Sequence, residues 1–162
     1  MKKWAIFCAM IVVTGLAIAD PAIDAALRSY VDGQSPLGEL RIRYEVGNSG
    51  FRGSDVLEIA GDGTIQLDRS KNGQTQRFRG KATANTLRKL LNEMLENEVW
   101  TVPPPTGARL RDAVEIKITV TSRRNDVSFV LTSLEADALR SRRLATLIKI
   151  FSLLIEKTVF PA

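Results

Sequence analysis

The stretch from Thr83 to Pro105, TANTLRKLLNEMLENEVWTVPPP, constrains the fold more than any other, because it reads as one amphipathic helix set between two sheet-forming halves. Leu87, Leu90, Leu91, Met94 and Leu95 recur at i, i+3, i+4, i+7 and i+8, which gathers them on one helical stripe. Arg88, Lys89, Glu93 and Glu96 fall on the remaining arc. The Thr83 hydroxyl can accept from a free amide of the first turn, so the helix is expected to start near Ala84. Pro103, Pro104 and Pro105 lack the amide donors that a further turn needs, which stops it before Val102. A helix of this length is marginal alone, and its stripe must find an apolar sheet face.

The flanking sequence supplies one. Leu40, Ile42, Tyr44 and Val46 alternate with Arg41, Arg43 and Glu45, the period of a strand with one wet face. Strands are expected at 55–60, 64–68 and 75–80, joined by Asp62-Gly63 and Asn72-Gly73, dipeptides that tolerate a type I′ turn. Turns this short impose an antiparallel meander. Beyond the prolines, Val114, Ile116, Ile118 and Val120 alternate with Glu115, Lys117, Thr119 and Thr121, and Val127, Phe129 and Leu131 mark a sixth strand. A last helix carries Leu144, Leu147, Ile148, Phe151, Leu154 and Ile155 on one stripe, with Ser133 or Ser141 as its cap. A short first helix is expected from Asp20, with Pro21 at its first position and Gly33 at its exit. The order α-ββββ-α-ββ-α reads as a single α+β domain with a six-stranded antiparallel sheet and helices on one face.

Lys2 and Lys3, the apolar run from Trp4 to Ile18, and small residues at Ala17 and Ala19 form a secretory signal peptide with cleavage expected after Ala19. The chain then divides into a leader at 1–19, an N-terminal helical segment at 20–39 and one α+β domain at 40–162, exported to the periplasm or the medium. Cleavage removes the single cysteine, Cys8, and lowers the formal charge from +5 to +3 by taking away two lysines. That charge is mild and little interleaved with aromatic residues, which argues against nucleic acid as a partner. The chain has no histidine. Ser-His-Asp and Cys-His nucleophiles, His-ligated zinc and imidazole acid-base chemistry are therefore excluded, and no cofactor or metal is expected.

Two features remain as candidate sites. Ser49, Gly50, Phe51, Arg52 and Gly53 lie in a glycine-rich connection whose backbone can approach another chain closely, with Phe51 as an apolar anchor beside the cation of Arg52. The plainer account makes it a strand connection with Phe51 folded onto the core. Arg140, Arg142 and Arg143, with Arg123 and Arg124 in the preceding turn, form a basic cluster that can face an anionic surface or simply water. Trp100 and Tyr44 read as core rather than as a ligand platform. The only enzyme class left is a carboxylate-dependent hydrolase, for which Asp112 is the acid to watch, although a turn cap explains it as well.

The run SGFRG at 49–53, DGT at 62–64, the leucine helix, NEVWTVPPP at 97–105 and DAVEIKITV at 112–120 together resemble emfourin-like bacterial proteins over residues 40–132. Arg52 in the loop, the N-terminal segment and the long basic C-terminal helix depart from that pattern. The resemblance implies a possible activity as an inhibitor of thermolysin-like metallopeptidases. The reading is therefore an exported, non-enzymatic protein-binding module. Its alternatives are an exported hydrolase or a structural envelope protein held to anionic surfaces by its basic final helix.

Overall fold

The computed structural model describes residues 20–47, 53–105, 113–122 and 127–161. The signal-peptide segment, Asp112, and loop residues Ser49 to Arg52 lie outside them, as do Arg123 and Arg124. The elements in order are α1 (Pro21–Val31), β1 (Leu40–Gly47), β2 (Ser54–Ala60), β3 (Thr64–Lys71), β4 (Gln74–Lys81), α2 (Ala84–Glu96), β5 (Glu115–Ser122), β6 (Val127–Leu134), α3 (Glu135–Arg140) and α4 (Ala145–Val159), with 3-10 turns at Leu37–Glu39 and Val99–Thr101. The six strands form one antiparallel sheet in the order β4-β3-β2-β1-β5-β6. This is the expected α+β domain.

The leucine helix lies where its sequence demands. Thr83 accepts from the Thr86 amide at 3.1 Å, and the five stripe residues are all buried. α2 packs between α1 and α4, with α1 reaching over β6 and α4 over β3 and β4. The helices thereby cover one face of the sheet, and a row of side chains crosses beneath them from edge to edge: Phe78, Leu67, Leu57, Tyr44, Ile118 and Leu131. Burying each large aliphatic side chain is worth roughly 1.5 to 3 kcal/mol, and this face is built almost wholly from them. Tyr44 stacks on Phe151 of α4, with centroids 4.4 Å apart and planes 3° from parallel. Tyr30 of α1 shares a hydrogen bond with the buried Ser122 hydroxyl of β5.

The other face carries Arg43, Glu45, Glu58 and Lys117, linked as ion pairs, and Asp68 paired with Arg77. It is the wet face that alternation calls for. β4, at one sheet edge, carries Arg77, Arg79 and Lys81, charges of the kind that discourage edge-to-edge pairing.

The structure departs from the sequence expectation in three places. Asn72 and Gly73 both have positive φ, as a type I′ turn requires, but Asp62 does not. The Gly63 amide instead donates to the Ala60 carbonyl, Gly63 takes φ +86°, and the Thr64 amide donates to Asp62 Oδ1 at 2.8 Å. This is a three-residue connection closed by a left-handed glycine and an Asx cap. The β3–β4 hairpin is also longer than its apolar residues indicated, since both strands continue with polar residues to Lys71 and Gln74. The C-terminal helical segment is broken at Ser141, which has extended backbone, so that α3 precedes α4 and no side chain caps α4.

Candidate functional site

One row beyond Tyr44, toward the end of the sheet where the glycine-rich loop departs, the covered face stops being apolar. The residues in register there are Gln76, Arg69, Asp55, Val46, Ile116 and Ser133. Asp55 and Arg69 occupy the inward parity of β2 and β3, the same parity as Leu57, Ile59, Ile65 and Leu67. They can do so because they satisfy each other: Arg69 Nε donates to Asp55 Oδ1 at 2.8 Å and Nη2 to Oδ2 at 2.7 Å. The Arg69 and Asp55 side chains are 35% and 18% exposed, so this bidentate pair is half-buried at the rim of the core.

Two cavities flank the pair. The first, about 390 Å³, is lined by Gly47 and Gly53 together with Ser54, Ser70, Lys71 and Val114. The second, about 360 Å³, lies between the sheet end and α4, and is walled by Tyr44, Val46, Glu135, Glu156, Val159 and Phe160. Val46, Asp55 and Arg69 line both. Gly53 has φ +95°, and a Cβ there would stand 2.1 Å from the Ser70 carbonyl oxygen, so only glycine brings the chain out of the loop and into β2 along this path.

Tyr44 is 2% exposed, and its hydroxyl makes no hydrogen bond among the described residues. Burial above all, then the negative charges of Glu135 and Asp55, push its pKa far above the ordinary phenol value. It stays protonated, able both to donate and to accept. Glu135 and Glu156 form no ion pair among the described residues, whereas Asp55 is neutralised by Arg69. Carboxylates, Tyr44 and apolar side chains thus line one solvent-open cleft.

The sequence-expected residues divide accordingly. Gly53 lies in this site, at the root of the loop. Arg140 and Arg142 are exposed near the break between α3 and α4. Arg143 is engaged within the chain: its Nε donates to the Asn97 carbonyl at 2.7 Å and its Nη2 to the Glu98 carbonyl and to Thr101 Oγ1, closing the end of α2. Tyr44 is core, as expected, but its hydroxyl end belongs to the cleft. Trp100 packs against the core and against Phe129, and its indole N–H is buried without a hydrogen-bond partner among the described residues. Asp55, Arg69, Glu135 and Glu156 were not singled out from sequence. The signal for the first two was present, as charges at the inward parity of apolar strands. Glu135 and Glu156 had none, because helix and sheet converge there only in the folded chain.

Among the described residues, no helix is long and apolar enough to cross a membrane. Compared with known proteins, the chain matches no family model and no curated protein.

Proposed function

We propose that this protein is an exported, non-enzymatic binding module that engages a protein partner through the sheet end at which Ser49–Gly53 departs, and that its partner is a secreted or envelope metallopeptidase, which it inhibits. The observation that carries the reading is that both ends of the loop, Gly47 and Gly53, line an open cavity, while the strands bearing them are held by a continuous apolar core. Binding residues commonly sit on loops held by a rigid scaffold of this kind. The lack of histidine leaves the chain without the commonest acid-base catalyst, and the leader-like segment at 1–19 supports export. The motif order that resembles emfourin-like proteins supports the choice of peptidase.

The test is a pulldown with the mature protein as bait from envelope and secreted fractions, followed by inhibition assays on a panel of thermolysin-like metallopeptidases. The proposal expects a specifically retained protein and slowed peptidase turnover without consumption of the inhibitor. No inhibition across the panel at micromolar concentration would remove the inhibitor reading, and no specific partner would remove the binding module.

A further inference from the structure

The second cavity, between the sheet end and α4, has a definite chemical bias. Its charged walls are Asp55, Arg69, Glu135 and Glu156. Arg69 is committed to Asp55 by two hydrogen bonds, which leaves the carboxylates of Glu135 and Glu156 without a cation among the described residues. α4 ends at Val159, and both Val159 and Phe160 line the cleft, so the negative end of that helix's dipole lies there as well. Tyr44 supplies an independent observation, being 2% exposed with a hydroxyl at this cleft that has no hydrogen-bond partner among the described residues. Val46, Ile155, Val159 and Phe160, the last 72% exposed, line the same cleft.

We propose that this cleft binds an aliphatic chain ending in a cation, namely a lysine or arginine side chain presented by the protein partner. The apolar wall takes the methylene stem, as such stems readily lie along apolar surface. The ammonium or guanidinium donates to the Tyr44 hydroxyl and to the carboxylates of Glu135 and Glu156. Because burial and the nearby carboxylates keep Tyr44 protonated, its oxygen remains a neutral acceptor for that donor across the ordinary pH range. The chain as a whole is positive, at +5, so attraction of a cation here is a property of the cleft and not of the molecule's overall field. The inference rests on reading this sheet end as the partner-binding end.

The experiment titrates the isotopically labelled full-length chain with N-acetyl-lysine methylamide and with N-acetyl-norleucine methylamide, which has the stem without the charge. The expected result is saturable amide shifts confined to Val46, Asp55 and the Glu156–Phe160 turn with the lysine compound, and binding at least about tenfold weaker with norleucine. Tyr44→Phe, which keeps the ring on Phe151, and the pair Glu135→Gln with Glu156→Gln should each weaken the lysine compound about tenfold, with melting temperatures close to wild type. Equal binding of both compounds, or no saturable shift with the lysine compound at tens of millimolar, overturns the proposal. Neither result touches the proposed function, which stands or falls on the pulldown; capture of a partner that is indifferent to Glu135→Gln with Glu156→Gln overturns this inference alone.

Discussion

Glu98 holds φ 44° and ψ 48°, the left-handed conformation that glycine adopts freely and other residues adopt at a cost. It stands directly after the C-cap of α2, and its carbonyl accepts from the Thr101 amide, the Thr101 hydroxyl and the Arg143 guanidinium. The position is defined by that carbonyl rather than by the glutamate side chain, which is exposed. Glu98→Gly should therefore stabilise the protein by about 0.5 to 1 kcal/mol in chemical denaturation. Arg143→Ala should do the reverse, by about 1 to 3 kcal/mol, because it leaves the carbonyls at the end of α2 without their charged donor. Arg143→Lys should recover only part of the loss, since an ammonium cannot reproduce the planar fork that spans Asn97, Glu98 and Thr101. If Arg143→Ala were silent, this arginine would be a surface cation of the kind its sequence setting suggested. In a run containing Arg140 and Arg142 nothing local distinguishes the residue that turns inward, because its acceptors lie more than forty positions away.

At the scale of elements, what was legible in the sequence was whatever its own periodicity encodes. α2 shows its burial at a period of 3.6, and β1 and β5 show theirs at a period of two, so Leu40, Ile42, Tyr44, Ile116, Ile118 and Val120, all read as inward, are buried, whereas Val114 lies before β5 and outside the core. Leu91 is fully buried, and Leu91→Ala should cost roughly 2 to 5 kcal/mol; a loss below about 1 kcal/mol would detach it from the core. Illegible were features decided by long-range packing. The polar extension of the β3–β4 hairpin follows from strand pairing, not from its side chains, and the break at Ser141 separates two segments that both have helical spacing. The Asp62-Gly63 dipeptide suits two turn types, and the Asx hydrogen bond from the Thr64 amide selects the three-residue connection over the type I′ turn. That hydrogen bond has a pH signature. It holds the Asp62 carboxyl below its ordinary value of 3.8, so the folded state releases this proton more readily than the unfolded state does. Its contribution is present above that value and is lost as pH falls through the lower, folded one. The same holds for Asp68, held down by Arg77. Stability should be flat near neutrality and fall below about pH 4, and Asp62→Asn should shallow that acid limb in urea denaturation measured at several pH values.

At the scale of the whole molecule, the helices and one face of the sheet share a single apolar core, and that packing gives out at the sheet end beyond Tyr44. The sequence marked this end through its glycines but not through its chemistry. The charged pair Asp55–Arg69 was visible as a breach of parity, while the cleft formed with Glu135, Glu156 and Phe160 exists only because α3 and α4 return to the end of β1. The loop's glycine-rich composition and the cavity at its roots support assigning Ser49 to Arg52 to the partner. The most direct measurement replaces Phe51 and Arg52 together with Ala and follows both the melting temperature and the affinity for the partner recovered by pulldown. A contact role predicts a melting temperature within a few degrees of wild type and affinity weakened by about 1.4 kcal/mol or more, roughly tenfold. A melting temperature that collapses, with Phe51→Ala alone costing about 3 to 5 kcal/mol and the remaining folded protein binding as wild type does, would make the loop part of the core and contradict the account.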